Sequence, residues 1–211
     1  MSRENILHRV RTGLGRGAGL AISEPPAVRL RVPQVDVETR IATMLRRVEA
    51  LAGKTHRAPT MEDARAFVEA ALAGRGAVAS NAPYLAECGI PSLAGVKSGI
   101  HDREELRAIC ATIGVGITSA NYALADTGSL VMLSSAAEAR MISLLPPSHI
   151  AILPADRILT GLDELFTVLP HPAEITSSMV LITGPSRTGD IEQILVRGVH
   201  GPGELTVVVV G

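Results

Sequence analysis

Three loops gather the side chains best suited to holding and processing a small anion. The first runs Thr183-Gly184-Pro185-Ser186-Arg187-Thr188-Gly189-Asp190, between the apolar run Met179 to Ile182 and a segment carrying Ile191, Ile194 and Leu195. Gly184 frees the backbone, and Ser186 and Thr188 supply hydroxyl donors. Arg187 offers a planar fork that fits a carboxylate or phosphate. A helix opening at Thr188 would add free N–H groups and a partial positive charge. The loop follows a strand, and ligands of open α/β sheets bind beyond the carboxyl ends of strands. The same residues suit a capped loop with a solvated arginine equally well.

The second is Ala125-Asp126-Thr127-Gly128-Ser129-Leu130, which reads as a tight helix-to-strand turn with Gly128 at positive φ. As a site, it makes Asp126 an acid–base or nucleophilic carboxylate and Thr127 a substrate-binding hydroxyl. As architecture, it is a turn with a helix-terminal Asp. The third is Arg197-Gly198-Val199-His200-Gly201-Pro202-Gly203, an irregular loop that carries His200. His200 can move a proton, or can serve only as a structural hydrogen-bonder. The run Leu144-Leu145-Pro146-Pro147-Ser148-His149 ends a helix and starts a strand, and His149 is read there as packed rather than catalytic.

Several other chemistries leave no trace. There is no Gly-x-x-x-x-Gly-Lys-Ser/Thr phosphate loop. Gly184-x-Ser186 approaches a nucleophile elbow, but Thr188 stands where that motif needs Gly. Gly13-x-Gly15-x-x-Ala18 fits a loose dinucleotide pattern with no strand before it. The histidines at 8, 56, 101, 149, 171 and 200 lack metal-ligand spacing, so no metal is expected. The two cysteines, Cys88 and Cys110, are too few for an iron–sulfur cluster or a four-Cys zinc site.

The elements that must position these loops follow from composition and periodicity. The 211 residues suit one domain with a tail. Hydrophobic residues make up 46% but aromatics only 2%, so the core is aliphatic, as in a parallel sheet covered by helices. The net charge of −1 and the scarcity of aromatics argue against a nucleic-acid surface. No apolar run reaches the roughly 20 residues of a membrane span, and no signal segment opens the chain, which points to a cytoplasmic protein.

A short helix is expected over 2–12, then a Gly- and Pro-rich flexible linker to residue 35, then a domain over 36–211. Further helices are expected over 36–52, 61–73 and 103–112, and near 120–126, 138–144, 161–168 and 188–195. Strands are expected over 76–80, 114–118, 129–133, 149–153, 178–183 and 205–210. Such alternation gives an α/β fold with a mostly parallel sheet flanked by helices.

Taken in order, the motifs resemble the LUD domain family. The words are Gly116-Ile117-Thr118, Ala123 to Val131, Ser143 to Pro147 with His149-Ile150, Gly184 to Glu192, and Gly198 to Pro202. The opening Ser2 to Leu7 is similar to the family's N-terminal helix, whereas residues 14–100 resemble it only weakly. The family usually has Glu at Asp126, Thr at Ser129 and Ala at Gly189. The resemblance implies a fold similar to the sugar-phosphate isomerase and CoA-transferase group. It also implies a part in oxidising L-lactate to pyruvate, together with partner proteins that carry iron–sulfur clusters. The chain itself would then hold no redox cofactor, in keeping with its two cysteines. The alternative from the residues is a stand-alone enzyme acting on an organic acid, sugar phosphate or CoA ester through Asp126 and Arg187.

Overall fold

The structure, a computed structural model, describes residues 2–15, 32–188 and 196–211, without the side chain of Val196. In chain order the first half holds α1 (Arg3–Gly13), α2 (Val37–Ala50), β1 (Lys54–Ala58), α3 (Met61–Leu72), β2 (Ala77–Ala79), α4 (Pro83–Glu87), β3 (Val96–Lys97) and α5 (Arg103–Cys110). The second half holds β4 (Val115–Ser119), β5 (Tyr122–Leu124), β6 (Ser129–Leu133), α6 (Arg140–Leu144), β7 (Ser148–Pro154), β8 (Ile158–Leu159), α7 (Leu162–Val168) and α8 (Pro172–Ile175). It closes with β9 (Met179–Ile182), β10 (Arg187–Thr188), β11 (Val196–Arg197) and β12 (Glu204–Val210).

The main sheet has six strands in the order β1-β12-β7-β4-β2-β3, and every pairing is parallel. Next to the edge strand β1 lies β12, where β-branched Val207 to Val209 are buried on both faces. Ile150 and Ile152 of β7 join Val208 in a core covered by α3 and α4. Leu205, Val207 and Val209 meet Ala151, Leu153 and Ile41, Met44 and Val48 of α2 on the other face.

That second face also carries the small sheet, ordered β8-β5-β6-β9, through Ala123, Leu130 and Met132. The helices α2 and α3 start where their caps predict. Asp36 Oδ1 accepts from the Thr39 N–H at 2.9 Å, and Thr60 and Asp63 form a reciprocal capping box.

The mostly parallel α/β architecture expected from sequence is present, with two local corrections. The helix expected near 120–126 is β5 followed by a hairpin turn. Leu124 pairs with Ser129, and the Gly128 N–H donates to the Leu124 carbonyl at 2.9 Å with φ at +71°. A stretch this short gains more from ladder bonds on both sides, to β6 and β8, than from one isolated helical turn. The helix expected over 188–195 does not begin at Thr188, which lies in β10 and pairs with Val196 of β11. Residues 189–195, with Gly189, Asp190, Ile191, Ile194 and Leu195, lie outside the described residues.

At the amino end, α1 is capped by Ser2 and buries none of its residues, and the expected linker lies largely outside the described residues. No helix among the described residues is long and apolar enough to cross a membrane.

Candidate functional site

A cleft of about 400 Å³ lies between the two sheets, at the amino ends of β7 and β12. One wall is β9 with the loop Thr183 to Arg187, and the facing wall is Ser143, Leu144, His149 and Leu205. Residues 200–202 close one side. The carboxyl-end rule for parallel sheets therefore does not place this cleft. The Gly184 loop leaves the end of a strand in the small sheet and folds against the starts of main-sheet strands.

The loop's shape follows from close contacts. Gly184 sits at φ +83°, and a side-chain carbon there would come within 3.0 Å of Leu51 Cβ. The Ser186 N–H donates to the Pro202 carbonyl at 2.8 Å, and its own carbonyl accepts from the Gly198 N–H at 3.1 Å. These bonds strap the Ser186 loop to the His200 loop, and a side-chain carbon on Gly201 would meet Ser186 Cβ at 3.4 Å.

Arg187 lines the cleft but also donates from Nη2 to the Leu51 carbonyl. That carbonyl caps the C-terminus of α2, where helix carbonyls lack intrahelical partners and attract cations. The arginine is exposed, so its remaining N–H groups stay available to a ligand.

His149 is packed, as read from the sequence, but it also forms part of the cleft wall, which that reading did not foresee. It is 1% exposed and lines the cleft, with Nε2 2.8 Å from Thr118 Oγ1 and Nδ1 without any partner. Complete burial pushes the ring's pKa down to about 4, so at neutral pH it is an uncharged imidazole with one idle nitrogen. The sequence signal was a ring placed in an otherwise aliphatic strand just after a double proline. His200 also lines the cleft, on its exposed rim.

Of the residues singled out from the sequence, Gly184, Ser186, Arg187 and His200 line this one cleft. Thr127 reaches the cleft only through a relay: its Oγ1 lies 2.8 Å from Ser129 Oγ, which lies 2.7 Å from Thr183 Oγ1. Thr188 is not among the lining residues. Asp126 lines a separate depression with Thr160 to Asp163. Its backbone N–H donates to the Thr160 carbonyl at 3.1 Å, and its carboxylate lies where any side chain on Gly161 would collide, at 2.6 Å.

Among the described residues no group of three or more His, Cys, Asp or Glu is placed to hold a metal. Cys88 and Cys110 lie in different cores, and burial raises both thiol pKa values. The main cleft therefore offers a guanidinium, three hydroxyls and two imidazoles. Such a set can hold a small anion and exchange a proton with it.

This geometry sits within a domain that has relatives. Residues 41–210 match the LUD domain, and the chain belongs to that family. It is similar to lactate utilization protein C of Halalkalibacterium halodurans, 40% identical over 92 residues, which covers 42% of this chain and 40% of the relative. The protein of that name from Bacillus subtilis is 39% identical over 92 residues, covering 42% and 38%. That from Macrococcus caseolyticus is 37% identical over 100 residues, covering 46% and 43%. These matches span less than half the length of each relative. Among solved structures, a DUF162 family protein from Deinococcus radiodurans superposes with a TM-score of 0.66 at 18% identity, covering 84% of this chain and all of that one. It shares the fold.

Proposed function

We propose that this chain serves bacterial lactate utilization as a subunit that binds a small carboxylate in the cleft between its sheets. Electron transfer from L-lactate to form pyruvate would fall to iron–sulfur partner proteins. The observation that carries this reading is the convergence of Arg187, Ser186, His200 and the idle nitrogen of His149 on one cleft of about 400 Å³. The names of the relatives support it, and the two-cysteine count favours partners as the cluster holders. A stand-alone enzyme using both Asp126 and Arg187 would need a substrate that spans two separate cavities.

The test is growth on L-lactate of a strain deleted for this gene and complemented with variants. Wild-type protein should restore growth, and Arg187→Ala should not. The purified chain alone should reduce no dye with lactate, and adding the cluster-bearing partners should restore the activity. Lactate-dependent dye reduction by the isolated chain would overturn the non-redox assignment.

A further inference from the structure

A second cavity, of about 570 Å³, opens at the opposite end of the main sheet. Glu138 lines it and is only 6% exposed. Its Oε2 accepts from the Ser80 hydroxyl at 2.8 Å and from the Ser119 N–H at 3.4 Å. Ser80 follows β2 and Ser119 closes β4, so the carboxyl group covers the carboxyl ends of two adjacent parallel strands. That is where parallel sheets place ligands.

The loop is built to turn Glu138 inward. Ser135 Oγ accepts the N–H groups of Ala137 and Glu138 at 3.2 and 3.0 Å, and the Ala137 carbonyl accepts from the Asn81 N–H at 2.9 Å. Yet Glu138 Oε1 and the neighbouring Ser134 Oγ are both buried without a hydrogen-bond partner. A buried carboxyl oxygen left idle is costly, and such groups call for a missing donor. Burial pushes the Glu138 carboxyl up to about 7, so near neutrality it can both donate and accept. Arg103 at the start of α5 and Arg140 at the start of α6 line the same cavity, and neither has an acidic partner among the described residues.

We propose that this cavity binds a small anion that also carries a hydroxyl group, its charge met by Arg103 and Arg140 and its hydroxyl by Glu138. The inference does not depend on the lactate reading of the other cleft. The anionic group can be a carboxylate or a phosphate, since a guanidinium serves both.

The experiment is calorimetric titration of the full chain with L-lactate and ribose 5-phosphate, and with acetate and inorganic phosphate as hydroxyl-free controls. Binding of a hydroxyl-bearing anion well ahead of its control is expected, and which of the two binds identifies the anionic group. Glu138→Gln should remove that preference. Arg140→Ala should weaken binding about tenfold or more, as loss of a charged hydrogen bond does. Arg140 is exposed, so its variant tests the site even if Glu138→Gln fails to fold. Arg187→Ala separates the two sites: if it abolishes binding while Arg140→Ala does not, the ligand belongs to the other cleft and the proposal falls. Absence of binding by all four probes, or wild-type binding by both Glu138→Gln and Arg140→Ala, also overturns it.

Discussion

At the amino end of the main sheet, burial keeps His149 without a proton's charge; at the carboxyl end, burial keeps Glu138 from losing one. Both side chains are fixed through one polar atom and idle at the other. The first site is surrounded by Gly- and Pro-rich loops that write themselves into the sequence. The second rests on one glutamate in an Ser-Ala-rich stretch with no motif at all. The difference teaches that motifs mark where the backbone must take an unusual path, while buried chemistry is decided by what the fold closes over.

The largest effect expected on this pairing comes from Gly116→Ala. A side-chain carbon there would lie 1.9 Å from the Ile142 carbonyl oxygen, so α6 must shift. Overpacking against rigid backbone should cost about 3 kcal/mol, read by chemical denaturation. Because α6 borders both cavities, ligand binding should weaken at both, and loss at only one would show that the two are mechanically separate.

Next comes the pH dependence of stability, where the two groups oppose each other. Glu138 has a folded pKa raised from 4.5 to about 7, so its contribution is full below 4.5 and is lost as pH climbs toward 7. His149 has a folded pKa lowered from 6.5 to about 4, so its contribution is full above 6.5 and is lost as pH falls toward 4. Each swing is about 3 kcal/mol, and between 4.5 and 6.5 they largely cancel. Relative to the parent, Glu138→Gln should steepen the loss of stability on acidification. His149→Gln should instead add a loss as pH rises. Denaturation midpoints from pH 4 to 8 that shift in parallel for both variants would break the comparison.

A smaller stability effect, about 1 kcal/mol, is expected for Arg187→Ala through loss of the Leu51 bond. Its functional effect should exceed that of Asp126→Ala, since only Arg187 lines the cleft. Lactate growth that survives Arg187→Ala but not Asp126→Ala would move the amino-end site to the Asp126 depression. The smallest change, about 0.5 kcal/mol, is expected for Thr127→Val, which cuts the end of the hydroxyl relay and leaves the Ser129 to Thr183 bond. Thermal unfolding measures it.

The legible parts of the chain were those where local pattern and tertiary role agree. Ser129 to Leu133 and Leu205 to Val210 are apolar runs that the fold buries, and both are strands. Residues 61–73 carry their own cap and helical stripe. β1 escaped notice because Lys54-Thr55-His56-Arg57-Ala58 is polar, as suits an edge strand with only β12 beside it. The 120–126 stretch was misread because its Ala and Leu residues favour a helix in isolation, while its partners β6 and β8 come later in the chain. At the site, Gly184, Ser186, Arg187 and His200 were legible as loop chemistry. His149 and Glu138 were not, because burial and an idle atom exist only once distant strands have met.

The close seating of α6 against Gly116 also limits how the chain can change in length. Residues 134–149 reach from Glu138, past Arg140 at the start of α6, through Ser143 and Leu144 at its end, to His149. A helix turns about 100° per residue. One residue inserted or deleted within α6 would keep either Arg140 or Ser143 on its present side, never both. This segment therefore works as a fixed-length gauge between the two ends of the sheet. Length variation is better tolerated before Val37, ahead of the elements that frame the cavities.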